Sequence, residues 1–366
     1  MYQASCVIRK DAPCSQLCLS EKVLAWRGAS GTDILLAAKP VLSPDDASEL
    51  LTKGWGDTAT LCPLTGERDL NFVASEADGA TSILKIYNAA ETEAARDMQH
   101  RLMRAAAKQD VFDVPHFRPA LDGRDEVALV HGGETHNLTR TSLLPGRSPV
   151  TPGDDALRLA LGRTAGALTR ALEHCEAPGM DRNLLWNHML LPRLAPLLPL
   201  IENPVRRSWV ADHITRFDAV IAPMASALPH QVIHNDLNPS NILVCEQADG
   251  IRLGVIDFGD AVHAPRINEL AVAASYFIDP SLGFEACLAK MVEGYRQEAD
   301  LLPEELDMLP SLIATRLATR ILLTHWRSSH FPENSTYIMR NVANAWALVD
   351  TITDLGLVGS KDERPI

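Results

Sequence analysis

The chain has 366 residues, 46 % of them apolar and 22 % charged, with a net charge of −13 at pH 7. That length supports a sizeable core, expected in two lobes. The acidic balance, with no Lys/Arg-rich run, argues against a nucleic-acid partner. Seven scattered cysteines without a CxxC pair argue against a disulfide scaffold or a zinc site.

In chain order, residues 1–41 have mixed composition and no sustained period, and read as an ill-ordered N-terminal extension. The first residues lack an apolar leader, so the expected location is the cytoplasm. "LSPDDASELLTKGWG" (42–56) predicts a helix: Ser43 caps it, Pro44 suits its first turn, Asp45 and Asp46 complement its dipole, and Gly54 stops it. Strands are predicted over 58–64, 71–75 and 82–88, a helix over 90–108, and a hairpin over 125–131 and 139–146. The Pro- and Gly-rich segment 145–155 reads as a linker. Residues 42–146 therefore form a small α/β lobe. The following stretch, 147–355, is mostly helical, with helices predicted over 154–175, 205–228, 268–278, 283–299, 303–330 and 335–355. Residues 356–366 are a tail. The longest apolar run, "LLPRLAPLLPLI" (190–201), is broken by three prolines and is too short to span a bilayer, so no membrane partner is expected.

One segment interrupts the helices. "VIHNDLNPSNILV" (232–244) crowds His234, Asp236, Asn238 and Asn241 between apolar, strand-like runs. It has the H-x-D-x-x-x-x-N spacing of a kinase catalytic loop. In that arrangement Asp236 receives or orients the proton of an acceptor hydroxyl and Asn241 holds Mg²⁺, while His234 and Asn238 brace the loop. Pro239 favours an irregular turn over a helix. Sixteen residues after Asn241, "LGVIDFGD" (253–260) places Asp257 at the end of an apolar strand, as a second metal ligand. Lys85 in "SILKIYN" (82–88) would point to solvent if it stood alone. Upstream of the loop and the Asp-Phe-Gly turn it is the lysine that neutralises phosphate oxygens. Its partner acid is left open among Glu91, Glu93, Asp97 and the Gln99 position. No GxGxxG or GxxxxGK[ST] loop occurs, and "HGGETH" (131–136) reads as a hairpin loop rather than a metal site. The serines lack a GxSxG context, so a serine hydrolase has no support.

These parts, with "LLPG" (143–146) as a hinge, resemble the aminoglycoside phosphotransferase and choline kinase superfamily. "PLTGERDLNF", "ILKIYNAAE", "HNDLNPSNILV", "GVIDFGDAV", "RLATRILLTHWR" and "PENSTYIMRNVANAWALV" are similar to its hydroxylysine kinase branch over about residues 42–355. The resemblance implies an α+β, bilobal protein-kinase-like fold, with a small nucleotide-binding N-lobe and a larger, mainly helical C-lobe. It implies transfer of phosphate from ATP or GTP, with Mg²⁺, to a hydroxyl of a small amine or amino acid, most of all a hydroxylysine-like one. It also implies that Gly66, Glu67, Arg68, Asp69 and Asn71 of "GERDLN" cover the nucleotide. Asp260, Arg316, Trp326, Arg327 and Tyr337 are expected to meet the substrate, although helix packing would also explain the stripe in "RLATRILLTHWR". A functional link to a PLP-dependent class III aminotransferase-like enzyme is a further expectation. Two departures stand out: Gln99 where many members of the superfamily hold Glu, and Asn235 where Gly usually follows the His. The alternatives are an antibiotic phosphotransferase, a choline, ethanolamine or homoserine kinase, and a non-catalytic binding protein. The last fits poorly, because Lys85, Asp236, Asn241 and Asp257 are all present.

Overall fold

The structure, a computed structural model, describes residues 37 and 39–357 apart from 65, 67 and 249. Most of the expected N-terminal extension, most of the tail, and Glu67 lie outside the described residues, as does the side chain of Tyr337.

The first helix, α1 (Pro44–Trp55), starts at a capping box in which Ser43 and Asp46 satisfy each other's backbone N–H groups. It ends at Gly56, whose φ of 77° is the left-handed cap. Gly54, the expected stop, is instead a buried helical residue that faces Val127. Five antiparallel strands follow: β1 (Ala59–Leu64), β2 (Leu70–Glu76), β3 (Thr81–Ile86), β4 (Glu126–His131) and β5 (Glu134–Ser142), in the order β1-β2-β3-β5-β4. The β4–β5 turn is made by Gly132 and Gly133, both at positive φ, the conformation a two-residue hairpin needs. That tight turn is why β5 begins at Glu134, five residues before the expected start. Leu50, Leu51, Phe72, Leu84 and Leu138 form the core between the sheet and α1.

Between β3 and β4, α2 (Glu93–Ala106) starts at the Thr92 cap. Its Met98, Leu102 and Ala106 join the larger core, so this helix fastens the sheet to the rest of the chain. The larger lobe is built on α3 (Asp155–Leu172), α4 (Pro204–Arg216), α5 (Ala222–Ser226), α6 (Asn268–Phe277), α7 (Phe284–Tyr295), α8 (Pro303–His330), α9 (Ser335–Met339) and α10 (Val342–Asp354). The Pro-interrupted run becomes a 3₁₀ stretch, His188–Leu200, because Pro192, Pro196 and Pro199 lack the N–H that an α-helix uses. The expected single helix over 205–228 is split by a π turn at Phe217–Ile221, just before Pro223. Helices α3 and α7 cross closely: a Cβ at Gly162 would lie 1.8 Å from the Met291 carbonyl oxygen, and one at Gly294 would lie 2.1 Å from that of Leu159.

The polar segment is carried by two small sheets. Strand β6 (His230–Ile233) pairs with β9 (Val262–Pro265), which was not expected, and β7 (Ile242–Gln247) pairs with β8 (Gly250–Val255). Among the described residues no helix is long and apolar enough to cross a membrane.

Candidate active site

The β7–β8 hairpin places the key residues. Its register sets Ile242 opposite Val255, so Asn241, just before β7, and Asp257, just after β8, emerge at the same end. The Ile256 N–H donates to the Asn241 carbonyl at 3.0 Å and secures that end. Asp257 adopts φ 63° and ψ 78°, left-handed for a residue with a side chain, and its Oδ1 accepts from the Gly259 N–H at 3.1 Å. A Cβ at Gly259 would sit 2.8 Å from that Oδ1, so a side chain there would push the carboxylate out of place.

The catalytic-loop candidates are held by one another. The Asn238 and Asn241 Nδ2 groups donate to Asp236 Oδ2 at 2.8 and 2.7 Å. With its amide N–H₂ spent on Asp236, Asn241 has a carbonyl oxygen left to offer a cation. Arg316 Nη2 donates to Asp236 Oδ1 at 3.2 Å. His234 is fully buried; its Nδ1 accepts from the Asp236 N–H at 3.2 Å, which leaves Nε2 to donate to the Ile256 carbonyl at 3.2 Å. Burial pushes its pKa down to about 4, so the ring is a neutral brace. Asn235 takes φ 64°, which explains why glycine suits the position; asparagine also tolerates it. Its Nδ2 donates to the Asp260 carbonyl at 3.1 Å, tying the loop to the Asp257 turn.

On the small-lobe side, Lys85 Nζ lies 2.9 Å from Asp69 and 3.8 Å from Asp257. None of Glu91, Glu93, Asp97 or Gln99 is its ion-pair partner; Asp69 of the "GERDLN" loop is. Burial lowers the Lys85 pKa, but Asp69 and Asp257 outweigh it and raise the pKa overall. Arg68 pairs with Asp260 at 2.7 Å. Asn71 stands opposite Lys85 in the β2–β3 register, and a Cβ at Gly66 would lie 3.0 Å from Asn71 Nδ2 and from the Asp69 carbonyl oxygen. Asp69 thus reaches Lys85, and Arg68 reaches the Asp257 turn.

The expected substrate residues fall in two places, Asp260 and Arg316 beside Asp236, and Trp326 and Arg327 elsewhere. Arg316 is fully buried, with its guanidinium engaged by Asp236 and by the Trp186 carbonyl at 2.5 Å, so it lies against the base. Trp326 and Arg327 lie about 15 Å farther along α8. Trp326 belongs to the larger core. The Arg327 carbonyl accepts from Phe331 in the last turn of the helix. Asp260 is buried beside the loop and is taken by Arg68.

Two residues escaped sequence reasoning. Glu269, at the head of α6, accepts from the His234 N–H at 2.6 Å, and burial pushes its carboxyl up to about 8. An acid opening the apolar run "LAVAA" was the available signal. Arg182 makes two bonds to the Asp257 turn and a third to Glu91, and nothing in "PGMDRN" marked it.

A family model described as "APH: Phosphotransferase enzyme family" matches residues 60–308. Hydroxylysine kinase from Danio rerio is 23 % identical over 334 residues, covering 85 % of this chain and 93 % of that protein. The structure of a microcompartment-associated aminopropanol kinase superposes with a TM-score of 0.65 at 21 % identity, covering 85 % of this chain and 98 % of the other. Amicoumacin kinase in complex with AMP-PNP, Ca²⁺ and Ami gives 0.59 at 16 % identity, covering 81 % and 91 %. Both likenesses show the shared bilobal, kinase-like fold.

Proposed function

The chain belongs to the phosphotransferase enzyme family, in its hydroxylysine kinase-like branch of small-molecule kinases, and from that premise we propose that it moves the γ-phosphate of ATP or GTP onto an alcohol of an amino acid or amino alcohol, a hydroxylysine-like one first. The observation that carries this reading is the convergence of Lys85, Asp257, Asn241 and Asp236 at one end of the β7–β8 hairpin.

In this reading the acceptor hydroxyl faces Asp236. That carboxylate is held by Asn238, Asn241 and Arg316, so it meets the hydroxyl in one orientation without further ordering. Asp236 takes the proton as the new O–P bond forms and the nucleoside diphosphate leaves. Lys85, kept charged by Asp69 and Asp257, faces the phosphates, and the Gly66–Asn71 loop covers them.

The Asn241 carbonyl and the Asp257 carboxylate are hard oxygen donors that fit Mg²⁺, an ion that takes one or two protein ligands and completes its shell with phosphates and water. Bound there, the ion would neutralise phosphate charge. The free thiols Cys62, Cys175, Cys245 and Cys287 suit a reducing compartment such as the cytoplasm.

The test is release of nucleoside diphosphate, with ATP and with GTP, across hydroxylysine, homoserine, choline, ethanolamine, aminopropanol and an aminoglycoside. Stimulation by hydroxylysine above the rest is expected. Stimulation by the aminoglycoside alone would replace the reading with drug modification, and stimulation by none of them would remove this acceptor class.

A further inference from the structure

Arg182 lies between α3 and the 3₁₀ stretch, and its side chain is only 9 % exposed. We propose that Arg182 is a positioning residue for the Asp257 turn, holding that turn's carbonyls and registering it against the small lobe through Glu91. The proposal rests on the reading of Asp257 as a cation ligand.

The geometry is specific. Arg182 Nη2 donates to the Gly259 carbonyl and Nε to the Ala261 carbonyl at 3.1 Å, while Nη1 meets Glu91 Oε1 at 3.2 Å. These three partners come from two places: the turn that carries Asp257, and the segment just before α2. Asp257 sits in a left-handed conformation, which persists only where its surroundings impose it. Within the turn, the Gly259 N–H is used by Asp257 and the Ala261 N–H by Phe258 at 3.3 Å. The outward carbonyls of Gly259 and Ala261 are the ones Arg182 takes. A guanidinium holds several acceptors in fixed directions, which an ammonium does not.

Glu91 is itself fixed. Its N–H donates to the Asn88 carbonyl at 3.0 Å, its carbonyl accepts from Arg96 at 2.6 Å, and Oε1 also accepts from Gln99 at 3.2 Å. Lys85 draws its acid from the loop, through Asp69, so Glu91, just before α2, is left to Arg182. A shift of α2 relative to the larger lobe would therefore be felt at Gly259 and Ala261, on either side of Asp260 and next to the ligand.

The experiment uses the full chain with Arg182→Lys, Arg182→Met, Glu91→Gln and Asp257→Asn. Bound Mn²⁺ is followed by its paramagnetic resonance spectrum in the presence of AMP-PNP, nucleotide affinity is measured separately in EDTA, and melting is recorded for each variant. Arg182→Met is expected to weaken Mn²⁺ about 10–100-fold, the usual cost of losing a residue that orients a ligand, with nucleotide affinity in EDTA within about twofold of the parent. Arg182→Lys falls between, Glu91→Gln shifts Mn²⁺ in the same direction by less, and the Glu91→Gln/Arg182→Met double variant is no weaker than Arg182→Met. If Arg182→Met does not fold, Arg182→Lys and Glu91→Gln carry the test. Parental Mn²⁺ affinity in the folded Arg182 variants, while Asp257→Asn loses it, overturns the role of Arg182 alone. Loss of Mn²⁺ and EDTA nucleotide binding by one common factor also overturns it, since that marks general damage. Asp257→Asn binding Mn²⁺ like the parent overturns the reading of Asp257, and the proposal with it.

Discussion

Asp236 and Asp257 flank the β7–β8 hairpin, one before it and one after, yet the two carboxyls are driven in opposite directions. Burial and the Asp260 carboxylate push Asp236 up to about 7, against the opposing Arg316. The Asp257 side chain is 43 % exposed, and Lys85 and Arg68 outweigh its partial desolvation and hold the carboxyl at about 2. The difference lies in which lobe supplies the cations. Lys85 and Arg68 come from the small lobe and converge on the Asp257 turn, while Asp236 has Arg316 beneath it and an acid neighbour beside it. A permanently ionised carboxylate suits a cation ligand. A carboxylate near neutrality suits a group that must accept a proton and release it each cycle.

The hardest way to break this pairing is to remove the proton acceptor. Asp236→Asn keeps the size and one acceptor oxygen but cannot take the proton, and turnover is expected to fall about 10²–10⁴-fold. Nucleotide binding persists, because Lys85 and Asp257 are untouched. Diphosphate release together with a nucleotide-binding titration reads both, and turnover near the parent's would take Asp236 out of the role of base. Removing the cation on the Asp236 side is the next largest change. Arg316→Met leaves a mostly buried carboxylate without its charge partner, a loss of about 3 kcal/mol, at the low end for a buried pair because Asp236 keeps 17 % of its side chain exposed. Chemical denaturation measures it. Arg316→Lys should recover part of the stability, and an unchanged denaturation midpoint in the Met variant would mean that Arg316 does not support the base.

How far the sequence reached follows from distance along the chain. His234, Asp236, Asn238 and Asn241 act within eight residues, so their spacing carries their geometry, and Asp257 sits one hairpin away. The Ser43 cap, the strands of the small sheet and most helices of the larger lobe were legible because capping, alternation and apolar stripes are local signals. What was missed is contact between remote segments. Arg182 reaches Glu91 across 91 positions and the Gly259 carbonyl across 77, and Glu269 reaches His234 across 35. Arg316 illustrates the same limit in reverse. Its place on the helical stripe was visible, but only the packing of α8 under the loop shows that its guanidinium is spent on Asp236 across 80 positions.

The finest test of the contrast concerns Glu269, which steadies the loop from behind. Its folded carboxyl is raised to about 8 by burial, whereas in the unfolded chain it has an ordinary carboxylate value. Below the unfolded value both states hold the proton, and its contribution to stability is fully present. As pH rises the unfolded chain releases the proton first, so stability drains away until the folded group ionises near pH 8, a change on the order of a few kcal/mol. Buried neutral histidines act with the opposite sign: His234, with its folded pKa lowered to about 4, costs stability as pH falls below its unfolded value. A scan of the wild-type chain therefore mixes the two. Glu269→Gln separates them, since the amide oxygen can still accept from His234 but the side chain no longer titrates. The melting temperature of Glu269→Gln minus that of the parent should climb by several degrees between pH 5 and pH 8. A difference that stays flat would show that the fold does not hold that proton, and that the loop is steadied by an ionised Glu269.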